Sequence, residues 1–509
     1  MRVLDAAQMR ALDAASVKHA GEIALMRAAG NAIATVIPRY ARPGPLVAFA
    51  GGGNNGGDAF SALAAADLNI TRTVYGDASH EGSPARIDAI NRARASGVRI
   101  EPFPTDPAHI EAICRKSGLV IDGLLGVKAR VPLGDDMAAI VAAIVRSGAR
   151  VLACDIPTGV DPSTGAVTGP AIHAVATVSF GAPKLGLYLD PGRAHAGHAY
   201  LARIDMDEAD VPPGDPVFYA LDDAEFCELL PVRAATADKR SAGAPLVIAG
   251  SQQFPGAAIL CARGAARAGA GYVTVATTEE AAPAVRLHLI EQVVVTYDQR
   301  DPESAIETLV DLGNHCSSLA IGPGIGLSDA MGQIVRGVIE RTSLPIVADA
   351  SALFHLSKHL PTLRGKKIVI TPHAGEFARL SGKGTLEERD RVARIRDFVD
   401  THGVTTLLKG RTTLIAEPGS THINPTGSSV LATAGTGDVL TGIIATLLSQ
   451  GLSPLDAARI GAYWHGRAGH IAQAARAYGV IAGDLPDLLA EAATRADHRL
   501  PGDRIERLF

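Results

Sequence analysis

Leu46-Val47-Ala48-Phe49-Ala50-Gly51-Gly52-Gly53-Asn54-Asn55-Gly56-Gly57-Asp58 begins as an uninterrupted apolar run and ends as a glycine-rich polar one. Five apolar residues without alternation read as a strand buried on both faces. The run stops at Gly51, and a helical pattern opens near Asp58. Two more short apolar runs end alike: Leu119–Ile121 stops at Asp122, and Val151–Ala153 leads to Asp155. Strands that end in Gly or Asp, each followed by a helix, are the repeating unit of a parallel βαβ sheet. Ligands bind such sheets beyond the carboxyl ends of the strands, where all three polar segments fall.

Further along, Val211-Pro212-Pro213-Gly214-Asp215-Pro216 reads as a break, and a domain boundary is expected near residue 215. A second α/β series follows. Its strands are expected near Pro245–Ala249, Tyr272–Ala276, Leu319–Ile321, Pro345–Ala348 and Ile368–Thr371, with helices near Gly437–Gln450 and Ala457–Ala474. The 509 residues thus divide into expected domains 1–215 and 216–509, each long enough for its own core. Scarce aromatics with abundant Gly and Ala favour α/β layers over an aromatic-rich β-sandwich.

The net charge is -5, with no basic run, which speaks against a nucleic-acid partner. Cys114, Cys154, Cys227, Cys261 and Cys316 are odd in number and lack metal-ligand spacing. Neither a disulfide framework nor a zinc site is expected, and a reducing cytoplasm fits. The N-terminus shows no signal-peptide core, and no stretch approaches the ~20 apolar residues of a membrane span. No membrane partner is expected, and a homo-oligomer is the expected assembly.

Chemistry enters at the strand ends. A glycine-rich turn lets backbone approach a ligand, and the helix behind it offers free N–H groups to an anion. Asn54 and Asn55 add amide donors and acceptors. Asp122 and Asp155 on neighbouring strand ends could bind a cation or serve as acid and base; the plainer alternatives are a tight turn and helix caps. In the second series, Ala434-Gly435-Thr436-Gly437-Asp438 precedes a helix. Its glycine turn suits a transferring phosphoryl group, and Asp438 could take the proton of a substrate hydroxyl. The alternative is an acidic residue complementing the helix dipole. Lys409-Gly410-Arg411-Thr412-Thr413 follows a strand and suits nucleotide contact. His373, in Thr371-Pro372-His373-Ala374-Gly375-Glu376, could meet a polar substrate or be a partly buried histidine satisfied by backbone. Gly322-Pro323-Gly324-Ile325-Gly326 permits close ligand approach.

The first three segments, with Phe180-Gly181-Ala182-Pro183-Lys184, resemble the YjeF N-terminal, NAD(P)H-hydrate epimerase family over roughly residues 1–210. The resemblance implies a Rossmann-like three-layer α/β/α domain. It implies that Asn54, Asn55, Gly56, Gly57 and Asp58 contact a hydrated nicotinamide cofactor. Gly126, Val127, Lys128, Ala129, Arg130, Val131 and Pro132 would form a loop around its phosphates. Asn55, Asp122 and Thr158 would hold a potassium ion, and Asp155 would act as acid/base at C6 of the ring. Thr158 stands where the family has Ser, and Val127–Val131 lacks the family's Thr-Gly-Leu.

The later segments resemble the ribokinase-like superfamily, and within it the ADP-dependent NAD(P)H-hydrate dehydratases, over roughly residues 220–500. Gly250-Ser251, Pro255-Gly256-Ala257-Ala258 and Asp349-Ala350-Ser351 continue the match. By position Ala257, Gly324, His373 and Asp438 would contact the hydrate. Lys409 to Thr413 and Gly437 would contact ADP, with magnesium on its phosphates. The family's His-Pro-Glu segment is His288-Leu289-Ile290-Glu291 here, and Ser351 stands where a second Asp is common. Together the two resemblances imply a single repair activity in two steps. R and S hydrates (NADHX, NADPHX) are epimerised, and the S form is dehydrated with ADP. The rival reading is a small-alcohol kinase of the hydroxyethylthiazole type fused to a non-catalytic nucleotide-binding module.

Overall fold

The computed structural model describes residues 1–509 apart from 67–68, 80–81, 212–216, 477 and 495–504. The expected boundary near residue 215 falls outside the described residues. Two compact units are present, Met1–Phe218 with Asp497–Phe509, and Tyr219–Ala496.

In the first unit Leu46–Ala50 is a strand buried at every position. Its side chains alternate between two cores. Leu46, Ala48 and Ala50 pack with Ile33, Phe60 and Ile90, while Val47 and Phe49 pack with Ile110, Val141 and Ile144. Helices on both faces explain why the run lacks polar alternation, and they make the unit a three-layer α/β/α domain. The sheet order is Ile505–Arg507, His198–Ala202, Ala176–Phe180, Val151–Cys154, Leu119–Gly123, Leu46–Ala50, Arg72–Gly76, Arg99–Glu101. All neighbours are parallel except Ile505–Arg507, which pairs antiparallel with His198–Ala202. This corrects the assignment of all of 216–509 to the second domain. A three-residue strand gives no periodic signal, and its place is set by the sheet edge it covers.

From Leu46–Ala50 the chain builds outward through Arg72–Gly76 and Arg99–Glu101, then returns to the other side at Leu119–Gly123. The strand order therefore reverses between Leu46–Ala50 and Leu119–Gly123, which opens a crevice at their carboxyl ends.

The second unit repeats this logic. Pro245–Ile248 leads to Thr274–Thr278 and Val293–Tyr297 on one side. The chain then returns through Ser318–Ile321, Ile346–Ala348, Ile368–Ile370 and Thr405–Leu408, all parallel. An antiparallel pair, Thr413–Glu417 and Ser420–Asn424, follows. The reversal lies between Pro245–Ile248 and Ser318–Ile321, where Gly250 N donates to Pro323 O at 2.8 Å. Two helices, Pro255–Arg267 and Thr436–Ser449, lie against each other over this sheet. No helix of the described residues is long and apolar enough to cross a membrane. Cys114, Cys154 and Cys261 are buried free thiols.

Candidate active sites

In the first unit the helix starts earlier than expected. Asn54–Ala65 is helical, so the Asn-Asn-Gly-Gly-Asp block is its first turn rather than a loop before it. The reason is steric: a Cβ on Gly56 would lie 2.0 Å from the Gly51 carbonyl oxygen, so only glycine lets this turn fold back on the strand end. No side chain caps the helix, and its free N–H groups remain for an anion.

Asp122 is fully buried on the neighbouring strand. Its Oδ1 accepts from Thr158 Oγ1 at 2.7 Å and Leu124 N at 3.2 Å, and its Oδ2 from Thr158 N at 2.8 Å. Burial outweighs these bonds and pushes its pKa up to about 6. Asn55 is brought alongside, its Nδ2 donating to Leu125 O at 3.0 Å. The three residues offered for a cation thus converge on one loop, Leu124–Gly126. In the Gly126–Pro132 segment Val127 is buried against Leu4, Met9 and Leu12, which anchors the loop, while Lys128 and Arg130 are exposed.

Asp155 lies one strand further on, with φ at 66°. A non-glycine residue there is uncommon and held by its surroundings. Its Oδ1 ion-pairs with Lys184 and accepts from Phe180 N at 3.3 Å. Burial pushes Asp58 well above the usual carboxylate range, and the charges of Asp155 and Asp13 add to this. Asp13 itself is raised, by burial first, with Lys184 and Lys128 opposing. Sequence reasoning assigns no site role to Asp13 or Lys184. Neither stands in a periodic pattern that marks it; only burial beside other charges does.

In the second unit four neighbouring strands end at the same edge. Ile321 leads to Gly322–Gly324, Ala348 to Asp349, Ile370 to Thr371–Glu376 and Leu408 to Lys409. Gly324 has φ at 66°, and a Cβ there would lie 2.8 Å from Ala257 Cβ, so two of the expected substrate contacts meet. Gly435 is left-handed and opens helix Thr436–Ser449 without a side-chain cap. Asp438 is the third residue of that helix. Burial first and the charge of Asp349 second push it up to about 7, with Lys409 opposing. Lys409 Nζ meets Asp349 Oδ1 at 2.7 Å, and its backbone N donates to Pro372 O at 2.8 Å. Burial pushes the Lys409 ammonium down, but Asp349 and Glu376 outweigh it and the net shift is upward.

His373 departs from the reading of a partly buried histidine. It is exposed and caps helix Ala374–Ser381: Nδ1 accepts from Gly375 N at 3.0 Å, while Glu376 Oε2 accepts from His373 N at 2.8 Å. An accepting Nδ1 places the proton on Nε2, which lies 3.6 Å from Glu376 Oε1. In Lys409–Thr413, Gly410 and Arg411 are exposed and Thr412 is buried. Arg391, absent from the sequence reasoning, braces this loop. It is buried, and its Nη2 donates to the carbonyls of Leu408, Lys409 and Thr412 at 3.2, 3.3 and 2.9 Å. An arginine in an amphipathic helix carries no local sign of such a role. Ser351 opens the short helix Ser351–Leu356, and Glu291 is exposed just beyond helix Ala282–His288.

Two family models match the chain: NAD(P)H-hydrate dehydratase over residues 245–494, and YjeF-related protein N-terminus over residues 22–186. The bifunctional NAD(P)H-hydrate repair enzyme Nnr of Mycobacterium leprae is 36% identical over 462 residues, covering 88% of this chain and 89% of that protein. Its counterpart in Coxiella burnetii is 35% identical over 488 residues, covering 94% and 96%. Among solved structures, the ADP/ATP-dependent NAD(P)H-hydrate dehydratase from Bacillus subtilis, co-crystallised with ATP and Mg2+, is 31% identical. It covers 53% of this chain and 96% of that one, with a TM-score of 0.48.

Proposed function

The chain belongs to the bifunctional NAD(P)H-hydrate repair enzymes, and from that premise we propose how its two units divide the work. The N-terminal unit epimerises the R and S hydrates of NADH and NADPH. The C-terminal unit dehydrates the S form at the expense of ADP, giving AMP and phosphate. The family match supports this and not the alternative of a small-alcohol kinase with a non-catalytic appendage.

Hydroxide is a poor leaving group from C6 of the hydrated ring. Asp438 takes the hydroxyl proton as the oxygen attacks the terminal phosphorus of ADP and AMP leaves. Loss of phosphate from C6 and of a proton from C5 then restores the 5,6 double bond. No side chain caps helix Thr436–Ser449, and the Gly437 N–H at its start would meet the phosphoryl charge. Ala257, Gly324 and His373 hold the hydrate. Lys409, Gly410, Arg411 and Thr413 hold the nucleotide, and buried Thr412 supports them. The observation that carries this reading is Asp438 itself, a carboxyl raised to about 7 at a glycine turn, close to the operating pH a general base needs. Magnesium, when bound, neutralises nucleotide phosphates. Such an ion would be held mainly by those phosphates with one or two carboxylates.

In the first unit Asp155 is the acid/base at C6, the Asn54–Asp58 turn contacts the cofactor, and Lys128 and Arg130 meet its phosphates. Asn55, Asp122 and Thr158 suit a potassium ion. They can supply oxygen donors, as hard cations require, and the buried Asp122 carboxyl brings a single negative charge. Such an ion would offset the burial that raises Asp122.

The deciding experiment supplies purified R and S hydrates with ADP or ATP and follows recovery of reduced-cofactor absorbance. Recovery of S with ADP, and of R in the same chain, is expected. Recovery of neither, with phosphorylation of a thiazole alcohol, would overturn the reading.

A further inference from the structure

Lys184 is 1% exposed, and no role in the reaction above uses it. Burying an ammonium costs several kcal/mol before pairing, and an apolar residue of similar size is often as stable. Its place therefore calls for a reason other than stability. The backbone around it is pinned by the N-terminal segment: Leu4 N donates to Pro183 O at 2.9 Å and Leu185 N to Leu4 O at 2.8 Å. Its Nζ donates to Phe180 O at 2.7 Å and ion-pairs with Asp155 Oδ1. The second donor to Asp155, Phe180 N, also reaches Oδ1. Both donors thus converge on one oxygen, and Oδ2 has no partner among the described residues. The Asp155 backbone is equally fixed, with N donating to Val178 O at 2.8 Å and φ held at 66°.

We propose that Lys184 is a positioning residue for epimerisation, tying down Asp155 Oδ1 so that Oδ2 is the oxygen that exchanges the proton with the hydrated ring. This rests on the reading of Asp155 as the acid/base. A carboxylate held by one oxygen in a strained, buried backbone keeps one orientation, and orientation is a large part of what a catalytic group contributes. Lys184 also counters Asp58 and Asp13, both raised by burial and by the charge of Asp155. It is the cation these three carboxylates share.

The test uses the full chain. Turnover of the R hydrate, which needs both units, is compared with that of the S hydrate, which needs only the second. Lys184→Met should lower kcat for the R hydrate on the order of 100-fold, with KM within about threefold and S-hydrate turnover intact. Lys184→Arg should retain more activity than Lys184→Met, and ethylammonium should restore turnover to Lys184→Ala. Wild-type kcat in Lys184→Met, a change in KM alone, or a loss that neither arginine nor the amine relieves would overturn the proposal. Asp155→Asn is measured in parallel. If it epimerises at the wild-type rate, the role of Asp155 falls instead, whatever the Lys184 variants do.

Discussion

Lys409 Nζ lies 2.7 Å from Asp349 Oδ1, while Asp349 Oδ2 accepts from Thr441 Oγ1 at 2.9 Å. One buried carboxylate thereby joins the Lys409–Thr413 loop to the helix that carries Asp438. Its negative charge helps raise Asp438, and the lysine it holds works the other way. The balance leaves Asp438 near neutrality, where it can both take and release a proton.

A base acts only when ionised, so dehydration of the S hydrate is expected to rise with pH through about 7. Asp349→Asn removes a charge that raises Asp438, so the acidic limb should move to lower pH. A pH series of kcat/KM for both proteins checks this, and an unmoved limb would remove Asp349 from the account.

Asp438→Asn keeps the shape of the helix start and removes the base. Turnover of the S hydrate should fall by about 100- to 10,000-fold, with ADP affinity by calorimetry unchanged. Dehydration at the wild-type rate would assign the proton to another group.

Arg391→Met keeps volume and deletes three bonds to loop carbonyls. The KM for ADP should rise on the order of tenfold while that for the S hydrate stays, since uniform binding is what is lost. Equal effects on both substrates would show a general loss of structure instead.

Asp122 is raised to about 6 in the folded chain from an ordinary value of 3.8. A raised carboxyl favours folding while protonated, so its contribution is present below about pH 4 and lost as pH rises through about 6. Potassium, which favours the ionised form, should raise the Tm of the first unit above pH 6 and do little near pH 4. Thermal melts in potassium and tetramethylammonium salts measure this, and equal Tm values at pH 7 would argue against the cation site.

Gly442 lies where helices Pro255–Arg267 and Thr436–Ser449 touch, and a Cβ there would sit 2.0 Å from Cys261 O. Gly442→Ala should destabilise the second unit by about 1–3 kcal/mol and weaken catalysis by displacing Asp438. Denaturant melts and S-hydrate turnover together test both effects.

The strand Leu46–Ala50 is legible to the residue, because burial on two faces leaves an unbroken apolar run. The helix after it begins four residues before the point its pattern suggests. Asn and Gly are poor helix formers, and only packing on Gly51 makes them one turn. His373 reads in the sequence as a substrate contact or a buried histidine. Its place as a helix cap is not legible there, because histidine seldom serves as one.

Local sequence suffices for two α/β units, for the glycine turns at their strand ends, and for the carboxylates Asp122, Asp155 and Asp438 that stand there. These follow from periodicity and turn chemistry, which a few consecutive residues express. Folding in three dimensions is what brings Asp349 to Lys409 and Lys184 to Asp155, sets Arg391 against the Lys409–Thr413 loop, and joins Ile505–Arg507 to the first unit. Those pairings depend on which strands become neighbours, and on the burial that makes a lone charge costly. Both belong to the folded sheet and not to any stretch of chain.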